Sequence, residues 1–434
     1  MILGLTLLIV LSAFIGVPLL AVLGLLPAFL FHSVADVPIQ AMITQVKLIM
    51  EAPGLIALPI FTFMGYILNY GKTSERMANL AERCLGWIPG GLAITMVVTY
   101  TAFCAITGGS ALSVMTLGGI YFVALMGSGY SKKFSLGICT VCGGAGMLFP
   151  PSLPVIIIGF ISYQSIDKLY IGALLPGLTV VGIYLLYVIW YSSKEKIVSK
   201  ETFSFGKAFE AFLDFALELP LPFIIIGGIF SGWMTVMEVS VVSLLYVIIV
   251  ECFIRREVGL KDFKNASLDS MLLVGAIFAI LTSALTLSNF LIDFRVPQSV
   301  LEFVQGYISS RIVFLLVLNV ILLITGCLME VFSAILVMVP LLLPVATGYG
   351  IDPLHFAVIF LWNLEIGYST PPIGFNLFIA SFRFKQPMPT LWRAAVPPLF
   401  VEITGLIFIT YLPELTLWLP RVLGMTKELI NFSS

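Results

Sequence analysis

"LGICTVCGGAGMLFPPSLPVIIIG", residues 136–159, is long and apolar enough to cross a bilayer, yet its middle carries Gly143, Gly144 and Gly146 and then Pro150 and Pro151. Proline removes an amide donor and cannot continue a helix interior, while glycine admits backbone angles that other residues avoid. The stretch therefore predicts two half-helices with an unwound link between them. Non-helical backbone at membrane depth is tolerated only where it is buried in protein or lines a polar cavity. The link is thus a candidate site.

Composition places that link in a membrane. Of 434 residues, 60% are hydrophobic and only 10% charged, against roughly 25% charged in an ordinary soluble domain. The formal net charge of -1 offers no clustered positive charge for a phosphate backbone, which excludes nucleic-acid binding. The first 31 residues are apolar but lack a basic leading region, and they exceed the ~7 to 15 residues of a signal-peptide core, so they read as a retained first span. Cys84, Cys104, Cys139, Cys142, Cys252 and Cys327 fall mostly inside apolar segments and read as small hydrophobes. Cys139 and Cys142 have the Cys-x-x-Cys spacing, but no His or second pair lies near them to make a metal site.

Measured against the ~20 residues needed to span a bilayer, apolar segments fall at 3–31, 53–70, 88–127, 134–163 and 168–192. They resume at 217–253, 269–293, 312–348, 353–382 and 394–415. Segments 88–127 and 312–348 are too long for one crossing and too short for two, and each reads as a re-entrant hairpin. Segment 217–253 reads as two short helices turning near 231–238. Lys and Arg are retained on the cytoplasmic side. Lys72, Arg76, Arg83, Lys132 and Lys133 therefore put the first hairpin's ends inside, as they do the loops bearing Lys194, Arg255, Arg256, Arg383, Lys385 and Arg393. The second hairpin then opens to the opposite side. The expected organisation is a first inverted repeat at 1–192, a connection with an extra helix at 193–234, and a second repeat at 235–434.

The residues themselves repeat. "AITGGSALS" (105–113) and "LITGCLMEVFS" (323–333) place Ile-Thr-Gly at both expected hairpin tips, and the span after each hairpin is interrupted by Gly-x-x-x-Pro-Pro: Gly146 to Pro151 and Gly367 to Pro372. From the tip threonine to the first proline is 43 residues in one half and 46 in the other, so coincidence is a poor explanation. Broken helices in corresponding positions of two halves point to a transporter site. Freed carbonyls can ligate a hard cation such as Na⁺, and half-helix N-termini present amides to an anion. Ser110, Ser113, Ser152, Ser369 and Thr370 add hydroxyls, and Asn376 an amide.

At these residues the sequence resembles the large membrane subunit of the tripartite ATP-independent periplasmic (TRAP) transporters. The similar stretches are "LIALPIFTFMGYIL" (55–68), "GWIPGGLA" (86–93), "LFPPSLPVIIIGF" (148–160), "GALLPGL" (172–178), "NLEIGYSTPPIGFNLFIAS" (363–381) and "YLPELTLWLP" (411–420). The resemblance implies an all-α polytopic protein of the bacterial inner membrane, working as an elevator-type secondary transporter. It implies Na⁺-coupled uptake of a small organic acid, with two or more Na⁺ and no organic cofactor. It also implies two partners: a small four-helix membrane subunit and a periplasmic substrate-binding protein. By motif match, one cation would lie between Thr107, Gly108, Gly109, Ser110 and Gly146 to Pro150. A second would lie between Thr325, Gly326 and Gly367, Ser369, Thr370, Pro371. Substrate would sit near Ser110, Pro151, Ser152, Thr370 and Asn376. The sequence departs from the family where its first tip reads Gly-Gly-Ser for Ser-Gly-Ser, where Glu330 stands for Asp, and where "MTVMEVS" keeps Glu238 but loses a proline. It looks like a divergent member whose substrate is not inherited from the sialic-acid or C4-dicarboxylate branches.

Acids inside a membrane are expensive, so each needs a reason. Glu365, two residues before the second break, either supports the unwound link or acts on a cation or proton. Glu330 either holds the second hairpin or reaches water, and Glu402 and Glu51 are expected near an interface or at subunit contacts. His355 and His32 read as satisfied interfacial residues. A one-component anion symporter or antiporter of related fold remains the alternative. An enzyme is not expected, because two histidines far apart give no convergent catalytic set.

Overall fold

The computed structural model describes residues 21, 25, 26, 29, 53–197 and 203–425, with backbone only at 288 and 292. Apart from those first four positions, the expected span 3–31, His32 and Glu51 lie outside the described residues. The described chain is helical, without strands, and has seven helices of crossing length and hydropathy, or up to nine if bent pairs are counted as spans.

The first half runs α1 (Pro53–Tyr70), α2 (Thr73–Leu85), the hairpin α3 (Gly91–Thr107) and α4 (Ser110–Gly127), then α5 (Lys132–Val141), a 3-10 segment (Cys142–Leu148), α6 (Leu153–Ile161) and α7 (Ile166–Lys194). The connection holds α8 (Phe205–Asp214) and α9 (Pro220–Phe230), and α10 (Val236–Ile248) continues through a π-turn (Ile249–Ile254). The second half runs α11 (Leu260–Asp293), α12 (Val296–Tyr307), the hairpin α13 (Arg311–Leu328) and α14 (Val331–Gly348), the pair α15 (Pro353–Tyr368) and α16 (Phe375–Phe384), then α17 (Met388–Tyr411) and α18 (Glu414–Val422). Long helix, short helix, hairpin, broken helix, long helix recurs in the same order.

Segment 217–253 does divide near 231–235, but only α9 is short. Val236–Ile254 is of crossing length, which corrects the expectation of two short helices. The short helices α2 and α12 fall between the expected spans. Helix α2 turns 70° from α1 and is amphipathic, too polar and too short to read as a crossing.

Its buried face carries Arg76, which clamps three acids. One Nη lies 2.6 Å from Glu218 and 3.3 Å from Glu251, and the other lies 2.6 Å from Glu257. Thr73 donates to Glu251 at 2.6 Å, so α2 is tied to the connection and to the end of α10. Partial burial pushes the Glu257 carboxyl up, but the Arg76 hydrogen bond, the Lys72 amide and the charges of both residues outweigh it, leaving Glu257 below its ordinary value. That contribution is present above the unfolded carboxylate pKa of roughly 4.3 and is lost as pH falls through the folded value. Replacing Arg76 by Met leaves facing carboxylates uncompensated. The expected loss is about 3–5 kcal/mol, measured as a lower thermal midpoint in detergent, with partial recovery when Glu218→Gln and Glu251→Gln are added.

The packing of the broken helices is reciprocal. The first part of each break packs on its own hairpin: the 3-10 segment on α3, and α15 on α13. The second part crosses over, α6 to α14 and α16 to α4. Glycines permit the own-hairpin contacts. A Cβ at Gly146 would stand 2.5 Å from the Cys104 Cβ and the Thr101 carbonyl, and one at Gly367 would stand 2.6 Å from the Gly326 backbone. Backbone cannot yield as a flexible side chain does. Gly367→Ala is therefore expected to cost about 1–3 kcal/mol by overpacking, seen as a lower thermal midpoint. Gly182→Ala, with nothing within 4 Å of the new Cβ, should leave the midpoint unchanged or raise it.

Candidate functional site

The first hairpin turns on Gly108, whose φ of +75° is left-handed and whose N–H donates to the Cys104 carbonyl at 2.8 Å. Gly109 is extended, and α4 starts at Ser110. The second hairpin differs from expectation. Helix α13 runs on through Thr325 and Gly326 to Leu328, and the turn is made by Met329 and Glu330. Ile-Thr-Gly here lies a turn before the tip, because Gly326 serves the close approach to Gly367 and not the reversal of the chain.

Both breaks take the expected form. After the 3-10 segment, Phe149 is extended and α6 starts at Leu153; after α15, Ser369 to Gly374 are non-helical and α16 starts at Phe375. Pro150-Pro151 and Pro371-Pro372 are both cis. Pro150, Pro151 and Ser152 are buried, whereas Pro372 and Ile373 are exposed, so the second break alone reaches the surface.

A buried polar cluster joins the halves. The Asn376 amide donates to Glu365 Oε1 at 3.2 Å, to Ser369 Oγ at 3.4 Å and to Ser110 Oγ at 3.2 Å. All four residues are buried. Glu365 lies over Gly144 of the first break, where a Cβ would stand 2.1 Å from its Cγ. Glu365 Oε2, Ser113 Oγ and Ser152 Oγ are buried without a protein partner.

Beside this cluster lies a cavity of about 460 Å³ lined by both hairpin tips, Thr107 to Leu112 and Glu330 to Ser333. Tyr66 of α1, Tyr368 of α15 and an apolar strip of α11 (Leu273, Ala276, Ile277, Ile280) close it. Ser110, Leu153, Val331 and Phe375 also line it. These are the first residues of α4, α6, α14 and α16, so four helix N-termini face one cavity. Glu330 caps α14, accepting from the Phe332 and Ser333 amides at 2.9 and 3.2 Å. The N-caps of the other three, Gly109, Ser152 and Gly374, make no side-chain capping bond. Among the described residues, no Lys or Arg lines the cavity. The N-termini of α4, α6 and α16 bring the positive ends of peptide dipoles to it, while Glu330 brings a carboxyl that caps the fourth.

Of the expected substrate residues, Ser110 lines the cavity and Asn376 bonds to it from behind; Pro151, Ser152 and Thr370 are not in the lining. The Thr370 hydroxyl donates to the Ile366 carbonyl at 2.7 Å, and its own carbonyl accepts from Cys327 at 3.3 Å. The two expected cation regions are each brought together, Gly146 beside the end of α3 and Gly367 beside Gly326. Thr107 and Thr325 donate to the carbonyls four residues back, at 2.7 and 2.8 Å, which leaves their lone pairs outward. Among the described residues no cluster of three or more His, Cys, Asp or Glu could hold a metal. Hydroxyl and carbonyl oxygens suit a hard monovalent cation instead.

Of the other singled-out residues, Glu402 is placed differently from expectation. Glu402 is fully buried: Tyr184 donates to its Oε1 at 2.9 Å, and Trp362 donates to its carbonyl at 3.2 Å. This corrects the expected subunit contact, since Leu399, Val401 and Glu402 are buried inside the fold, with only Phe400 between them exposed. Glu238 forms a capping box with Thr235 on α10, where it is exposed. His355 is satisfied by Thr416 and the Thr410 carbonyl, at 3.2 and 3.3 Å, in the interior. Tyr368 was not singled out in the sequence. Its hydroxyl donates to Glu330 Oε1 at 3.2 Å and accepts from the Val331 amide, so it latches the second tip to the second break. The signal was an aromatic hydroxyl immediately before "STPP".

Paired hairpins and broken helices around one cavity, in a chain of bilayer-length helices, define a membrane transport protein. The chain belongs to the family described as Tripartite ATP-independent periplasmic transporter, DctM component, which matches residues 2–415. It is 34% identical to the C4-dicarboxylate TRAP transporter large permease protein DctM of Pseudomonas aeruginosa, over 86% of this chain and 87% of that one. It is 31% identical to the isethionate TRAP transporter permease protein DctMQ of Oleidesulfovibrio alaskensis, over 93% of this chain and 64% of that longer one. The fold is also that of the Alcanivorax borkumensis YdaH transporter, at a TM-score of 0.62 and 14% identity, over 96% of this chain and 98% of that one.

Asn376→Leu removes a side chain that bridges Glu365 and Ser110. It is expected to lower uptake on the order of tenfold by leaving buried acceptors unpaired, while abundance in the membrane stays near wild type. Equal losses of uptake and abundance would assign Asn376 to folding alone.

Proposed function

We propose that this protein is the large subunit of a Na⁺-coupled importer of a small organic acid in the bacterial inner membrane. The observation that carries the reading is the set of four helix N-termini around one cavity, three of them without a capping side chain, with no basic side chain in its lining among the described residues. Dipoles of this kind favour an anion without holding it as tightly as a buried guanidinium would, and release is as necessary to transport as capture. The relatives' names, C4-dicarboxylate and isethionate, share a small anionic solute.

Na⁺ would bind where each hairpin meets its own break, using carbonyls and hydroxyls of Thr107 to Ser110 and Gly146 to Pro150, and of Thr325, Gly326 and Gly367 to Pro371. Glu365 and Asn376 position the Ser110 hydroxyl between the two. The crossed packing of α6 on α14 and α16 on α4 favours movement of hairpins and breaks as one body. The apolar strip of α11 facing the tips is a surface along which that body can slide. Substrate would arrive on a periplasmic binding protein, and a small four-helix subunit would complete the membrane part.

In proteoliposomes given both partners and loaded binding protein, uptake is expected to require an inward Na⁺ gradient. Uptake that persists undiminished when choline replaces Na⁺ would overturn the coupling.

A further inference from the structure

A second pocket, of about 250 Å³, lies where the start of α5 meets the end of α7 and the proline pair of α17. Lys133 and Lys194 face it, with Trp190 and Tyr191 on one side and Pro397 and Pro398 on another. None of its lining residues is acidic; Glu195, next to Lys194 in sequence, is not among them. Both lysines are exposed, and neither is paired with a carboxylate among the described residues.

The wall is built and not incidental. Phe134 stacks on Tyr191 at 3.9 Å between ring centres, and the Ser131 hydroxyl shares a 2.9 Å hydrogen bond with that of Tyr191. Lys194 Nζ stands 5.1 Å from the centre of the Trp190 ring, which fixes where its charge is held. The pocket also lies at the N-terminal turn of α5, whose dipole adds positive potential.

Its surroundings select the ligand. Trp and Tyr gather at the headgroup level of a membrane, and Lys marks the cytoplasmic side. From Trp190, the exposed face of α7 continues through Ile189 to Leu186, which is 69% exposed, toward the hydrocarbon. Positive charge at one end and an apolar track leading away from it match a molecule that is anionic at its head and hydrocarbon behind.

We propose that this pocket binds an anionic phospholipid of the cytoplasmic leaflet, its phosphate between Lys133 and Lys194 and an acyl chain along α7 from Trp190 to Leu186. A soluble anion would use the lysines but leave that track bare. The site is separate from the hairpin cavity and shares no residue with it.

Trp190 lies in the pocket and reports on it. Purified protein in mild detergent is titrated with phosphatidylglycerol brominated on its acyl chains, and the Trp190 signal is taken as the difference between wild type and Trp190→Phe. Saturable quenching is expected, with brominated phosphatidylcholine far weaker. The Lys133→Gln, Lys194→Gln double variant should raise the midpoint on the order of 30-fold, from two lysine contacts to an anionic headgroup, with its thermal midpoint unchanged. Equal quenching by both lipids, or a midpoint unmoved in the double variant, would overturn the proposal. Displacement of the quenching lipid by excess inorganic phosphate would overturn it as well, by assigning the pocket to a soluble anion.

Discussion

The structure depends on keeping unwound backbone out of lipid. Each Pro-Pro break frees polar groups that hydrocarbon cannot satisfy, so each is packed at close range against a hairpin, although Pro372 and Ile373 of the second remain exposed. Gly146 and Gly367 make that possible by having no Cβ where the neighbouring helix runs. The crossed packing of α6 and α16 covers the breaks from the other side, each with a hairpin of the opposite half. Site and fold are therefore the same arrangement seen at two scales.

The chemistry of the cavity follows from what is missing there. An anion held by Arg or Lys deep in a membrane protein would be bound by a full charge in low dielectric, and its departure would be slow. Peptide dipoles give a weaker and more evenly distributed attraction. Glu365 contributes one buried carboxyl beside hydroxyls, oxygens that in the proposed importer would favour a cation, which the anion's own charge would help to stabilise. In the proposed importer, a binding site for one ion would become better when the other is present, which is the thermodynamic content of coupling.

Much of this was legible in the sequence. The hairpins at 88–127 and 312–348 and the breaks near Pro150 and Pro371 announced themselves through length and through residues incompatible with a continuous helix. The tripeptide Ile-Thr-Gly was a less faithful guide, since at 106–108 it makes a turn and at 324–326 it makes a contact. Helices α2 and α12 escaped notice because amphipathic segments of 13 and 12 residues carry no crossing signal. The Arg76 clamp and the burial of Glu402 were hidden for a different reason. Both are set by partners far away in the chain, Glu218 and Glu251 in one case and Tyr184 in the other, and periodicity reports only on near neighbours. The crossing of α6 and α16 was invisible on the same ground.

That crossing also bears on synthesis. Helix α6 ends at Ile161, but its cover, α14, is complete only at Gly348. At about 5–20 residues per second, a ribosome needs on the order of 10–40 s to supply it. Through that interval the first break has α1, α3 and α7 packed on it but lacks the part of its cover that α14 supplies. A chain that stops before residue 331 therefore leaves the α6 face that α14 covers without its partner.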